Sequence, residues 1–379
     1  MQRDEVADIL RGLGIIAVVA GHAGTDIGIK VLPVYSYHMP LFFFVSGLFY
    51  RDDRIFPILP TFSRLASRLL LPALFALVAY DFVILRVLHR FGLPFGGASI
   101  TPKFLEGTFL FGGEFSAAYW FVGTYLFIYL YFHIIHVRLH HCMIGLISGA
   151  TTTRLFWGAL YLTAAAISVY LSVRLYGDVQ EENRHFVVAQ NWHYIAALRF
   201  VFGAGFYYLG SLFARYKDDI PRKALIPIFI AGVAFVVEAF IFNNFSVFFS
   251  MQIMSFPNVY TPIATSLIGI IIFYAISTAL AGGIAGKILS SIGRHSNAIF
   301  LNHIFGFFLF NLLLVFAGVV NLVDITSPYY RFREYDTYSI YIIFGVGFSL
   351  AIPLILNGLT GKFKRSSTSS AYSHKVETR

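Results

Sequence analysis

The sequence has very little cysteine and very little charge. Cys142 is the only cysteine in 379 residues, which excludes a disulfide within the chain, and neither Cys-x-x-Cys nor a Cys/His zinc spacing occurs. Charged residues make up 12% of the chain, about half of what a soluble domain carries. In their place, 58% of the residues are hydrophobic and the mean hydropathy is +0.72. We therefore predict a polytopic membrane protein.

Apolar stretches long enough to cross a bilayer recur along the whole chain. A transmembrane helix needs about 20 mostly apolar residues. By this measure we predict an all-α fold with about ten spanning helices, near residues 9–25, 32–50, 65–85, 118–137, 154–173, 195–214, 224–242, 262–281, 298–319 and 338–358. With an even number of spans, both termini face the same side.

The net charge of +9 fits this topology. If the N-terminus is cytoplasmic, 19 Lys and Arg residues fall in cytoplasmic segments and eight in outer segments. This asymmetry is the positive-inside bias, so we predict that both termini are cytoplasmic. Because the bias also accounts for the basic composition, the expected partner is the lipid bilayer and not a nucleic acid.

The chain shows no internal repeat and no second folded domain. We expect one membrane-embedded domain over residues 1–361. Residues 362–379 are polar, rich in Ser and Thr, and without apolar periodicity. Such a segment cannot bury enough apolar surface to fold, and we predict a disordered cytoplasmic tail.

The first predicted helix contains the stretch RGLGIIAVVAGH, which runs from Arg11 to His22. Eleven helical residues bring the two side chains within about 20° of one face and about 16 Å apart along the axis. Ionisable residues inside a membrane are costly and are candidates for function. Two alternatives stay open on spacing alone: an ordinary anchored and capped helix, or a cleaved signal peptide. Cleavage would leave nine helices and remove the even topology.

Further polar residues follow this helix. His38 comes just before Pro40, which occupies a favoured first-turn position of the second helix. Arg64 and Arg68 are four residues apart and share one helical face, where they could hold phosphates bidentately. The alternative for these arginines is plain positive-inside anchoring.

Four histidines lie in the stretch HIIHVRLHH, near the end of the fourth predicted helix. Their spacing is like one histidine box of a membrane di-iron oxygenase. Such an enzyme takes its ligands from several boxes, and the 12 histidines of this chain make no second one. We therefore predict no metal cofactor.

The motifs occur in an order that resembles the acyltransferase-3 family of multipass membrane proteins. That family transfers acyl groups to sugars and other acceptors of the cell envelope, and its opening Asp-x-x-Arg and Arg-x10-His patterns correspond to Asp8, Arg11 and His22. Later family stretches correspond to MPLFFFVSGLF, SRLASRLLLP, YWFVGTYLF, GFYYLGSLFARY and IGRHSNAIFLNH, the last ending at His303. One departure is Asn297, where the family usually has tyrosine. The resemblance extends from about residue 4 to about residue 355.

The stretch YSYHMPLFFFVSG looks most like the branch of the family that contains fucose O-acetyltransferases, including the enzyme that acetylates nodulation factors. The resemblance implies a cell (inner) membrane O-acetyltransferase that uses acetyl-CoA and a glycan or lipo-oligosaccharide acceptor. Acyl transfer needs a base, cations for the donor phosphates and support for the oxyanion. The residues expected to act are His22 as general base, Arg11 at the thioester, Arg64, Arg68, Arg51 and Arg54 at the coenzyme A phosphates, and His38 and Trp120 at the acceptor.

A different class of function would also place charges inside a helical bundle. A transporter or flippase for a glycan or lipid-linked sugar would line its pathway with such residues. Transporters often show paired repeats and broken helices at matching positions. The sequence shows neither feature, so it favours the acyltransferase.

Overall fold

The computed structural model describes residues 4–24, 32–95, 107–110, 112–147, 149–177, 179, 184–219, 222–241 and 249–352. Within these residues the fold is all-α and contains no named strand. The helices of ten residues or more are α1 (Glu5–Ala23), α2 (His38–Gly47), α3 (Ile58–Arg90), α4 (Trp120–Leu146), α5 (Ala150–Tyr176), α6 (Arg184–Tyr216), α7 (Arg222–Ile241), α8 (Thr261–Leu280), α9 (Ile284–Arg294), α10 (Ser296–Phe316) and α11 (Glu334–Ile352).

The prediction of an all-α polytopic membrane protein is confirmed. Within the described residues, eight helices are long and apolar enough to cross a membrane: α1, α3, α4, α5, α6, α8, α10 and α11. The other two predicted spans correspond to α2 and α7. Residues 362–379, predicted to form a disordered tail, lie outside the described part of the chain. Following the charge bias, we call the end of the bundle with Arg11 the cytoplasmic end and the end with His22 the outer end.

Helix α2 is shorter than its predicted span of 32–50, because it has only ten residues. A helix of this length is about 15 Å long, about half the thickness of the hydrocarbon core. Pro40 explains where it begins, since proline has no N–H to donate to the carbonyl of Ser36, four residues earlier. That carbonyl instead accepts hydrogen bonds from the hydroxyls of Thr265 and Ser266 on α8, both at 3.3 Å.

Helix α9 was not among the predicted spans. It has 11 residues, and its small residues Gly286, Ser290 and Gly293 are buried. A Cβ atom at Gly293 would overlap the carbonyl oxygen of Asp8, and one at Gly12 would overlap that of Leu289. The backbones of α1 and α9 are therefore in direct contact near the cytoplasmic end, in the manner of small-residue contacts between membrane helices.

A second close contact joins α2 to α6. A Cβ atom at Gly47 would overlap the carbonyl oxygen of Tyr207, and one at Gly210 would overlap the carbonyl oxygen of Phe44. Tyr207 is only 1% exposed. The short helix is thus fixed by the longer one beside it, as expected where packing between helices replaces the hydrophobic effect.

The α2–α6 contact gives a first testable prediction. Gly47→Ala should lower the thermal stability of the detergent-solubilised protein, because the helices must separate, and overpacking of this kind costs about 1–3 kcal/mol. The matched control is Gly347→Ala on α11, where a Cβ atom would meet nothing within 4 Å. The control should be neutral or slightly stabilising, since alanine favours helix over glycine. Equal melting temperatures for the two variants would contradict the contact.

Candidate active site

His22 lies in the last turn of α1, where several parts of the chain meet. Its Nδ1 is 3.3 Å from the hydroxyl of Tyr35. Its ring centre is 5.2 Å from that of His303 on α10 and 5.7 Å from that of Tyr329. Nε2 of His22 makes none of the hydrogen bonds found among the described residues. With Nδ1 facing Tyr35, Nε2 is the nitrogen available to a substrate.

Arg331 holds the backbone at His22. It donates a hydrogen bond to the carbonyl oxygen of His22, one of the carbonyls that the end of a helix leaves without an intrahelical partner. Its guanidinium carbon lies 4.4 Å from the ring centre of Phe307 and 5.1 Å from that of Tyr341. Burial lowers the pKa of Arg331 to about 10, so it remains a cation at neutral pH. A cation at this position also complements the negative end of the helix dipole.

Two further histidines close to His22 have defined tautomers. Nδ1 of His303 is 2.9 Å from the carbonyl oxygen of Phe300, and Nδ1 of His38 is 2.5 Å from that of Val34. A carbonyl only accepts, so both Nδ1 atoms carry the proton and each neutral ring keeps Nε2 as its acceptor. Nε2 of His303 is buried without a hydrogen-bond partner in the described residues. The site therefore holds an unsatisfied imidazole nitrogen beside His22.

A small inner cavity lies against one side of His22. Its volume is about 20 Å³, which is room for about one water molecule. Its lining includes His22, His38 and Trp120, together with Met39 and Phe300. Three residues that the sequence singled out on separate helices thus surround one space, while the roles assigned to them stay predictions.

An outer pocket also borders His22, and Tyr35 lines both this pocket and the inner cavity. It has a volume of about 320 Å³, and its polar lining consists of His22, Tyr35, Tyr329, Arg331 and Glu334. His22 is therefore common to the buried inner cavity and to a larger, polar and open pocket. A base in this position can contact a group in each.

Trp120 is fixed by a buried cation behind it. The guanidinium carbon of Arg199 on α6 lies 4.9 Å from the Trp120 ring centre, and its Nη1 donates to the carbonyl oxygen of Leu110 at 2.6 Å. The loop before α4 is held by Asp81 on α3, which accepts hydrogen bonds from the amide of Phe115 at 2.8 Å and from the hydroxyl of Ser116. Arg199 and Asp81 thus fix the wall that Ala118 and Trp120 form at the inner cavity.

Arg11 does not reach this site. Its Nη1 is 3.4 Å from Oδ1 of Asp8, and its guanidinium carbon is 4.4 Å from the ring centre of Phe49. Eleven helical residues separate it from His22, about 16 Å along the axis. The two residues cannot contact the same carbonyl group, so any direct role of Arg11 lies at another part of the substrate.

The predicted phosphate-binding arginines lie at the cytoplasmic end, and all four are exposed. Arg51 and Arg54 belong to the connection between α2 and α3, and Arg64 and Arg68 to the first turns of α3. The charges of Arg64 and Arg68 both act on the hydroxyl of Tyr129 on α4. The structure therefore places Arg64 and Arg68 beside α4 and far from His22.

An unpredicted ion cluster surrounds Asp52 at the cytoplasmic end. Arg154 on α5 donates to both carboxylate oxygens, at 2.7 and 3.2 Å, and Arg215 on α6 donates to Oδ1 at 2.7 Å. Nε2 of His140 on α4 lies 3.5 Å from Oδ2. Burial alone would raise the pKa of Asp52, but the hydrogen bond from Arg154 and the charges of both arginines hold that pKa below its usual value. We call this group the Asp52 cluster.

The Asp52 cluster predicts a charge-dependent loss of stability. Asp52→Asn leaves two partly buried arginines without their counter-charge, which should cost about 3–5 kcal/mol. The adjacent, exposed Asp53→Asn is the matched control, and thermal unfolding in detergent is the measurement. A depressed carboxyl pKa stabilises the fold above the unfolded-state pKa of about 3.9 and loses this effect as the pH falls through the folded-state value.

The pH dependence separates this effect from a general packing defect. The stability difference between wild type and Asp52→Asn should be constant from about pH 8 to about pH 5 and should shrink below about pH 4, because the carboxyl group of the unfolded wild type takes up a proton there while the folded carboxylate, with its lower pKa, still resists protonation. A difference that stays the same at acid pH would contradict the electrostatic origin.

The sequence pointed to some of these residues and missed others. His303 closes a motif noted in the sequence, but its distance from His22 along the chain hid their proximity. Tyr35 fell inside the predicted span 32–50, although in the structure it lies in a short turn before α2. Tyr329 and Arg331 lie in a connection without helical period, and Arg331 counted only among the outer charges. A cation flanked by aromatic residues in an outer segment was the one available signal for Arg331.

The structure is that of a membrane protein with several membrane-crossing helices. Among them lies a histidine that lines both a cavity and a polar pocket, a site suited to polar chemistry. The family model for the acyltransferase-3 domain, described as an acyltransferase domain, matches residues 5–358. The chain belongs to the acyltransferase-3 family, and the protein is a multi-pass membrane acyltransferase. The family resemblance in the sequence is thereby confirmed, and the transporter alternative is not favoured. In the same comparisons, no curated protein and no solved structure matches the chain.

Proposed function

We propose that the protein transfers an acetyl group from acetyl-CoA to a sugar hydroxyl of a glycan or lipo-oligosaccharide at the cell (inner) membrane. The observation that carries this proposal is the position of His22 between the inner cavity and the outer pocket. A space of about 20 Å³ beside the imidazole favours the smallest acyl group over a long chain. A polar pocket of about 320 Å³ suits a hydrophilic acceptor.

In this reaction His22 acts as the general base. Nε2 takes the proton of the acceptor hydroxyl as the hydroxyl oxygen attacks the thioester carbonyl, while Nδ1 carries the other ring proton and donates it to the hydroxyl oxygen of Tyr35. The carbon–sulfur bond then breaks, and the leaving thiolate takes the proton back from the imidazolium. The products are the O-acetyl ester and the free thiol of coenzyme A, and His22 is regenerated. An imidazole that is neutral at neutral pH is available as a base.

The distance between Arg11 and His22 supports a donor of the coenzyme A type. The two side chains lie about 16 Å apart along α1. A phosphopantetheine arm has about twelve chain atoms between phosphorus and sulfur, as many as about four peptide residues, which span about 14 Å when extended. One donor could thus place its phosphates near Arg11, Arg64 and Arg68 and its thioester at His22. Arginine is suited to phosphate because its planar group binds two oxygens at once.

His22→Ala tests the base. O-acetylation of cell glycans, measured by mass spectrometry in cells with and without the gene, should fall about 10²–10⁴-fold, the usual effect of a general base. The variant should still accumulate in membranes, because His22 is half-buried at a helix end. His141→Ala, on the exposed cytoplasmic end of α4, is the matched control. Wild-type acetylation by His22→Ala would remove the base from the mechanism.

Arg11→Lys tests the donor site. It retains the charge but loses the bidentate geometry, so the KM for acetyl-CoA should rise about tenfold. Arg90→Lys, at the exposed outer end of α3, is the control and should leave this KM as it is. Full activity of Arg11→Lys at limiting acetyl-CoA would instead mean that Arg11 only anchors the helix.

A further inference from the structure

The outer pocket contains groups that neither the base nor the donor uses. With about 320 Å³, it reaches the size range of small-molecule sites, about 300–1,000 Å³. Two of its lining residues, Tyr329 and Glu334, lie on the connection into α11 and at its first residue. His22 forms part of the same lining, so a molecule in this pocket would contact the imidazole.

The polar groups in this pocket differ in what they can still bind. Arg331 already donates to the carbonyl oxygens of Tyr330, at 2.8 Å, and of His22, and the Phe307 ring covers its guanidinium. Its Nε has no hydrogen-bond partner among the described residues, but this nitrogen is buried and out of a ligand's reach. Glu334 is only partly exposed and forms no hydrogen bond or ion pair with the described residues. The charged group left for a ligand is therefore a carboxylate, which only accepts hydrogen bonds. Such a pocket favours a neutral ligand with several hydroxyl groups over an anion.

The aromatic residues add a flat apolar surface beside this carboxylate. Tyr329 is 40% exposed although its ring lies 5.7 Å from the His22 ring. Tyr35 lines the same pocket, and its hydroxyl lies 3.3 Å from Nδ1 of His22. An aromatic ring with a polar tip suits a ligand that has both an apolar face and hydroxyl groups. A pyranose ring has this combination, with C–H groups on its faces and hydroxyls at its rim.

We propose that the outer pocket binds the pyranose ring that carries the accepting hydroxyl. Glu334 accepts hydrogen bonds from hydroxyls next to the reacting one, and Tyr329 packs against a face of the ring. The reacting hydroxyl then points at Nε2 of His22. This deepens the proposed function and depends on it for the reaction, whereas the binding of a neutral saccharide can be measured without turnover.

Binding is tested first on the purified full-length protein carrying His22→Ala, so that no turnover occurs. The probes are methyl glycosides of neutral hexoses, deoxyhexoses and N-acetylhexosamines, with a methyl glucuronide as the anionic comparison. At least one neutral probe should raise the melting temperature in a saturable way. The double variant with His22→Ala and Glu334→Gln should bind this neutral probe about tenfold more weakly or worse, because a hydrogen bond to a charged group is lost. Asp336→Asn, an exposed carboxylate two residues further on, is the matched control.

A second variant guards against a folding defect of Glu334→Gln. Tyr329→Leu should also weaken the binding of the same glycoside, whereas Tyr335→Leu, at a residue that is 79% exposed, should not. The proposal would be overturned if only the glucuronide raised the melting temperature, or if none of the neutral probes did. It would also be overturned if a probe raised the melting temperature equally with and without Glu334.

Enzyme kinetics with the glycoside that binds distinguish a failure of the proposed acceptor site from a failure of the proposed acetyl transfer. With radiolabelled acetyl-CoA, Glu334→Gln should raise the KM for the glycoside about tenfold and should change the KM for acetyl-CoA much less. One outcome is that acetylation depends on His22 but that Glu334→Gln leaves the KM for the glycoside unchanged. This outcome would overturn the proposed acceptor site and leave the proposed function standing. Glutamate-dependent binding without acetylated product in the wild type would overturn the proposed function instead.

Discussion

The position of α1 depends on a direct contact between its backbone and that of α9. Gly12 and Gly293 allow this contact, because a side chain at either residue would overlap a carbonyl oxygen of the other helix. Membrane helices gain little from the hydrophobic effect, so close packing of this kind determines where they lie. Since His22 is on α1, the contact near the cytoplasmic end also sets where the imidazole meets the inner cavity and the outer pocket. The site is thus positioned by packing about 15 Å away along the helix.

Sequence reasoning predicted the spans well because hydrophobic length is a local property. It missed α9, whose 11 residues are too few to register as a span, and it overestimated α2, since an apolar run does not show which carbonyl a proline leaves unpaired. Of the site, the sequence singled out His22, His38 and Trp120, each marked by a polar or aromatic side chain in an apolar helix. It could not link His22 to Arg331, because that hydrogen bond joins residues 309 positions apart and no period connects them.

Buried polar groups in this bundle are mostly held at helix ends or against carbonyls. Arg331 binds the end of α1, Arg199 binds the carbonyl of Leu110, and Asp81 receives two backbone amides. In an apolar bundle such partners are obligatory, since an unpaired polar group is expensive there. Nε2 of His303 and Nε of Arg331 are the exceptions among the residues around His22, because both nitrogens are buried and have no hydrogen-bond partner among the described residues.

The Asp52 cluster also has a consequence for the order in which the protein is made. Asp52 is synthesised 102 residues before Arg154 and 163 residues before Arg215. Gly210, which packs against α2, belongs to the same late helix as Arg215. A nascent chain that ends before α6 therefore presents an apolar helix of ten residues with neither its packing surface nor its full set of counter-charges. The segment around α2 therefore gains its packing surface and its full set of counter-charges only after α6 has been synthesised.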